Sequence, residues 1–122
     1  MRTGTRISHS APRLLAAALL AAAIGNALAE DRVFELAIHP GGPAAKSEVL
    51  TVRQNDQVVI RLRSDKPVQI HLHGYDIEKE VVPNAVTSLR FVASATGRFP
   101  IEIHSKAPLK QPPLAYVEVQ PR

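Results

Sequence analysis

Two histidines, His71 and His73, stand two residues apart in the run Val68-Gln69-Ile70-His71-Leu72-His73-Gly74. Side chains at i and i+2 of a strand leave the same face, roughly 6–7 Å apart at the backbone. That spacing lets two imidazoles reach one metal ion. A third histidine, His104, ends a second strand-like run, Phe99-Pro100-Ile101-Glu102-Ile103-His104. The same alternation sets Glu102 and His104 opposite Phe99, Ile101 and Ile103, just as it sets His71 and His73 opposite Val68, Ile70 and Leu72. If the two runs are neighbours in one sheet, His71, His73, His104 and Glu102 converge as a metal-binding set. Zinc and copper take three or four such donors at about 2.0–2.2 Å.

The donor chemistry is narrow. The chain has no cysteine, and its one methionine is Met1. With thiolate and thioether absent from the body of the protein, imidazole, carboxylate and backbone oxygen remain, which suit Cu(II), Zn(II) or Ni(II) better than Cu(I). A solvent-facing histidine on a strand is also commonplace, so residue types alone leave metal binding open. His39, before the Pro40-Gly41-Gly42-Pro43 break, reads as a strand-end histidine on the wet face. Asp76 is placed to orient an imidazole through its second ring nitrogen. Glu80 reads as part of a solvated edge, and Arg61 and Arg63 as a charged outward face. No phosphate-binding glycine loop, nucleophile elbow or Cys–His pair is present.

Residues 1–29 read as a signal peptide to be removed. Arg2, Arg6 and Arg13 precede an apolar run from Leu14 to Ile24, and Ala27-Leu28-Ala29 forms a small-x-small cleavage site. The run is short of the roughly 20 apolar residues of a bilayer span. Cleavage after Ala29 leaves one small domain, residues 30–122, with no membrane span. The leader holds three of the 15 Lys+Arg and none of the 11 Asp+Glu, so the domain is close to neutral. The basic precursor therefore gives no support for nucleic-acid or membrane-surface binding.

The elements that would position these residues are strands throughout. Apolar alternation marks Phe34–Ile38, Val58–Leu62, Val68–Leu72, Thr87–Ala93, Phe99–Ile103 and Ala115–Val119, with shorter runs at Val49–Val52 and Ile77–Val82. Gln54-Asn55-Asp56, Ser64-Asp65-Lys66-Pro67, Pro83-Asn84 and Ala95-Thr96-Gly97 read as turns, and residues 105–113 as a proline-rich loop. Seven or eight short strands without a helix predict an all-β, antiparallel β-sandwich or barrel.

These residues resemble a cupredoxin domain over most of residues 49–119. Thr51-Val52-Arg53-Gln54-Asn55-Asp56-Gln57-Val58 resembles a cupredoxin turn-and-strand, in which glycine usually stands at Asn55. His71-Leu72-His73-Gly74 is similar to the His-x-His-Gly motif of multicopper oxidases, and Gly97-x-Phe99 with His104 to their Gly-x-Trp-x-x-His-Cys-His motif. In that register Glu102 replaces the first histidine, Ile103 the cysteine, and His104 keeps the last histidine. Val68 stands where the type 1 histidine would be. The resemblance implies a single-domain, periplasmic, Greek-key cupredoxin-like sandwich without a blue copper centre. It implies a copper site of His71, His73 and His104, with Glu102 or water as fourth ligand and copper (Cu2+) ahead of zinc.

Several functions are compatible with this. A metal-handling protein that buffers copper, or passes it to a periplasmic copper-handling partner, is favoured over an enzyme. A copper oxidoreductase with a type 2-like centre completed by an oligomer is the main alternative. A cupin would share His71 and His73 and add Glu78, although its following glycine and second motif are missing. A metal-free scaffold that binds a partner through a sheet face is the fourth. Physiological metal and oligomeric state are not encoded legibly.

Overall fold

The computed structural model describes Gly4 and residues 28–43, 46–104 and 111–122. Most of the proposed leader and residues 105–110 of the proline-rich loop lie outside them. Among the described residues eight strands follow in order: β1 (Asp31–Ile38), β2 (Glu48–Arg53), β3 (Gln57–Ser64), β4 (Val68–Leu72), β5 (Ile77–Val81), β6 (Thr87–Val92), β7 (Gly97–His104) and β8 (Ala115–Gln120). They form a three-stranded sheet in the order β1-β3-β6 and a five-stranded sheet in the order β2-β8-β7-β4-β5.

Each strand buries alternate side chains between the sheets. Ile60 and Leu62 of β3 and Leu89 of β6 meet Ile70 and Leu72 of β4, Ile101 of β7 and Val117 of β8 in one fully buried cluster. Burying each large aliphatic side chain is worth about 1.5–3 kcal/mol, which pins the register because a one-residue slip would turn the whole set outward. Phe34, Tyr75, Phe91, Phe99 and Ile103 pack around this centre. Among the described residues no buried side-chain polar atom lacks a hydrogen-bond partner.

The all-β sandwich agrees with the alternation, but not every neighbouring pair is antiparallel. β1 runs parallel to β3, and β2 runs parallel to β8. The first pair arises because β2 crosses from the sheet of β1 to the other sheet, so β3 returns beside β1 in the same direction; β2 itself lands beside β8, at the edge of the five-stranded sheet. The remaining pairs, β3–β6, β4–β5, β4–β7 and β7–β8, are antiparallel.

Turn chemistry follows the backbone. Asn55, between β2 and β3, has φ 70°, and Asn84, between β5 and β6, has φ 63°. Both are in the left-handed region that asparagine tolerates better than most residues. This accounts for asparagine standing at position 55 where the related motif has glycine.

Candidate metal centre

The site grows from β4 and its two neighbours. Ile70 and Leu72 face the core, so His71 between them faces outward. β4 lies between β5 and β7, and His71 is directly opposite Glu78 on one side and Glu102 on the other. Gln69 is opposite Glu80 and His104 in the next outward row. His104 is thus a diagonal neighbour of His71, within reach of a long side chain.

His73 lies just past the end of β4, yet its amide still donates to the Pro100 carbonyl of β7 at 3.0 Å. The chain then reverses through Gly74, which has φ +86° and sits against the Phe99 ring. Tyr75 wedges below this turn, with its ring centroid 4.8 Å from those of Phe91 and Phe99. Its hydroxyl donates to the Ala95 carbonyl at 2.8 Å and accepts from the Ala95 amide at 3.2 Å. Burial pushes the Tyr75 hydroxyl above its ordinary pKa, outweighing the opposing bond from the Ala95 amide. A half-buried aromatic wedge therefore fixes the loop that carries His73.

Three imidazoles share the outward face. The His71 ring centroid lies 4.2 Å from that of His73 and 5.4 Å from that of His104. His71, Glu78 and His104 each offer one ligand atom, and these atoms lie within 4.8 Å of one another. Ligand atoms around a tetrahedral ion with ~2.1 Å bonds sit about 3.4 Å apart, so modest side-chain rotation closes this group on an ion. His73 Nε2 is 2.8 Å from Glu102 Oε2. His71 Nε2 is 3.2 Å from Asp76 Oδ1, with the Asp76 side chain almost fully in solvent.

All four expected residues, His71, His73, His104 and Glu102, therefore lie on one patch, but the carboxylates divide differently from the expectation. Glu102 is joined to His73, and Glu78 stands with His71 and His104. Glu78 had a place only in the cupin reading. Its position here follows from the β4–β5 hairpin, which pairs Leu72 with Ile77 across a four-residue turn. Gly74 marks a turn in the sequence, but it is the length of that turn that sets Glu78 opposite His71. Gln69 Nε2 also donates to Glu78 Oε2 at 3.4 Å. His39 is elsewhere, after β1 in the three-stranded sheet, with Nδ1 3.2 Å from Asp65 Oδ2. Arg61 pairs loosely with Glu35 at 3.9 Å.

No protein-family model and no curated protein matches this sequence. Solved structures do match its fold. A multi-copper oxidase from Pseudomonas thermotolerans superposes with a TM-score of 0.62 and 22% identity, covering 78% of this chain and 31% of that one. A blue copper oxidase from Nitrosomonas europaea gives 0.55 at 15% identity, covering 75% and 39%. The periplasmic domain of cytochrome oxidase subunit II from Bradyrhizobium japonicum gives 0.50 at 15% identity, covering 62% and 56%. The chain spans less than half the length of either of the first two oxidases. At such identities the likeness concerns architecture: the protein is an all-β sandwich with a cupredoxin-like fold.

Proposed function

We propose that this protein is an exported, periplasmic copper-binding domain that acts in metal handling through a non-blue site on the outer face of its five-stranded sheet. The observation that carries the reading is the gathering of the His73 and His104 imidazoles around that of His71, with Glu78 beside His71 and His104. The donor set fits Cu(II) or Zn(II), since imidazole and carboxylate suit both, and with no cysteine in the chain a blue centre would lack its thiolate ligand. His71, His104 and Glu78 form the nucleus of the ligand set in this reading. His73 joins them through Nδ1, because its Nε2 faces Glu102. Glu102 thereby becomes the carboxylate that orients a ligating imidazole and raises its basicity. Asp76 has the same relation to His71 across 3.2 Å. When bound, the ion supplies Lewis acidity and, if it is copper, one-electron chemistry. Three solved neighbours are named as copper oxidases or a cytochrome oxidase subunit, which supports copper over zinc.

Calorimetric titration of the untagged protein with Cu(II) tests this directly. A single tight site is expected, lost in both His71→Ala and His104→Ala. The electron paramagnetic resonance spectrum should be of type 2 with nitrogen couplings. Undiminished affinity in both variants would end the assignment. Affinity should fall on acidification, since protons compete with the ion for imidazole nitrogens.

A further inference from the structure

Asp56 is the one buried charged side chain among the described residues, 3% exposed, and it belongs to no part of the metal patch. It lies in the turn that carries the chain from β2 in one sheet to β3 in the other. Its Oδ2 accepts from the Arg53 amide at 2.9 Å, which closes the turn. Its Oδ1 accepts from the Arg122 guanidinium, and also from the Glu30 backbone nitrogen at 3.1 Å. Arg122 follows β8 in the five-stranded sheet, and Glu30 precedes β1 in the three-stranded sheet. One carboxylate thus ties the two sheets together where both ends of the domain meet. Gln57 holds Glu30 in place by donating its amide to the Glu30 carbonyl at 3.1 Å.

Glu30 is also the residue immediately after Ala27-Leu28-Ala29, the small-x-small sequence. The nitrogen that faces the buried carboxylate is therefore the one that hydrolysis of the Ala29–Glu30 bond would release. We propose that Asp56 is the receptor for the new amino terminus, so that leader removal completes a buried ion pair and locks the mature fold. A signal peptidase adds water across the amide; Ala29 leaves as a carboxylate and Glu30 becomes an α-ammonium. A neutral N–H donor to the Asp56 carboxylate is thereby replaced by an ammonium at the same place, which turns a hydrogen bond to one ionised group into an ion pair between two. The Leu28 carbonyl, which accepts from Arg122 Nη1 at 3.1 Å, departs with the leader. Arg122 keeps the Gln54 carbonyl, at 2.9 Å from Nε, and Asp56 itself. Among the described residues the strands and the buried cluster all lie within residues 31–120, on the mature side of the cleavage site.

The test begins with the full chain, leader included, expressed in a bacterium. Intact mass and amino-terminal sequencing of the exported product should give Glu30 as first residue. A start at any other position overturns the proposal. The processed protein is then compared with one whose cleavage site is shifted so that Ala29 is retained. The extra residue moves the ammonium away from Asp56, and the Tm should fall by about 4–8 °C; equal melting refutes the lock. If the lock is real, the difference should vanish when both chains carry Asp56→Asn, and its persistence would exclude Asp56 as the receptor. Should those variants fail to fold, acylation of the α-amine near neutral pH provides an independent reading. It should be at least about ten-fold slower in the folded protein than in a Glu-Asp-Arg peptide, and equal rates count against the pairing.

Discussion

Gly74→Ala is the substitution through which fold and site are most tightly linked. Two costs are legible at this position. Gly74 has φ +86°, a conformation that costs an L-residue about 1–2 kcal/mol. A Cβ there would also lie 2.3 Å and 2.7 Å from two carbons of the Phe99 ring. Those are ring atoms rather than the end of a flexible chain, and the ring is packed against Tyr75. Forcing such an overpacked contact to yield costs typically 1–3 kcal/mol. Together the destabilisation is roughly 2–5 kcal/mol, and a domain of this size should lose on the order of 10 °C or more in Tm. Urea unfolding measures it, with the slope expected to be unchanged. Gly41→Ala is the internal control: its φ is +78°, but nothing lies within 4 Å of its Cβ. It should show the backbone cost alone. If Gly74→Ala proves no worse than Gly41→Ala, the Phe99 contact does not constrain the turn, and the aromatic wedge does not position His73. Copper affinity should fall in Gly74→Ala and hold in Gly41→Ala.

The remaining expectations concern single side chains. Glu78→Gln and Glu102→Gln should each weaken Cu(II) by about 10–100-fold, but only the former should change the ligand signature in the electron paramagnetic resonance spectrum; the reverse pattern would restore Glu102 as ligand. Burial tends to raise the Asp56 carboxyl, but the amides of Arg53 and Glu30 and the charges of Arg122 and Arg32 outweigh it and hold it below the usual carboxylate range. Its contribution is therefore complete above the unfolded value of about 3.9 and lost as pH falls through the lower native value. The stability gap between the native protein and Asp56→Asn should accordingly narrow below roughly pH 4, and a gap independent of pH would refute the linkage. Tyr75→Phe removes the hydroxyl that exchanges bonds with Ala95 and should cost about 1 kcal/mol in chemical denaturation.

The strands were legible because their apolar periods are clean. Ile60 and Leu62, Ile70 and Leu72, and Val117 and Val119 all alternate with exposed or half-exposed neighbours, and each faces inward. The same period separated the histidines from the core. Two things were not legible, for different reasons. The parallel β1–β3 and β2–β8 pairs depend on which sheet β2 joins, and alternation has the same form in either sheet. The division of the carboxylates depends on cross-strand register. A run such as Ile77–Val81 states which of its faces is apolar, yet Glu78 meets His71 only because the turn after Leu72 is four residues long. That length is governed by Gly74, Tyr75 and the positive φ of Asp76, which has the value 57°. The order of residue types does not reveal the packing of Tyr75 on Phe91 and Phe99 that fixes it.

One consequence of this layout separates metal affinity from stability. Ile103 stands between Glu102 and His104, faces inward and is paired across the sheet with Ile70. In the motif it resembles, that position belongs to a cysteine. Here it contributes packing, so the inward face of β7 is committed to the core and the polar groups occupy only the outward face. Because His104 is exposed on the outward face of β7 while Ile101 and Ile103 of the same strand pack inward, removing its imidazole opens no cavity between the sheets. His104→Ala should therefore abolish tight copper binding while changing unfolding free energy by no more than about 0.5 kcal/mol, as surface substitutions usually do. A large loss of stability in metal-free His104→Ala would mean that the imidazoles are structural members of the sheet, and the metal-handling reading would lose its footing.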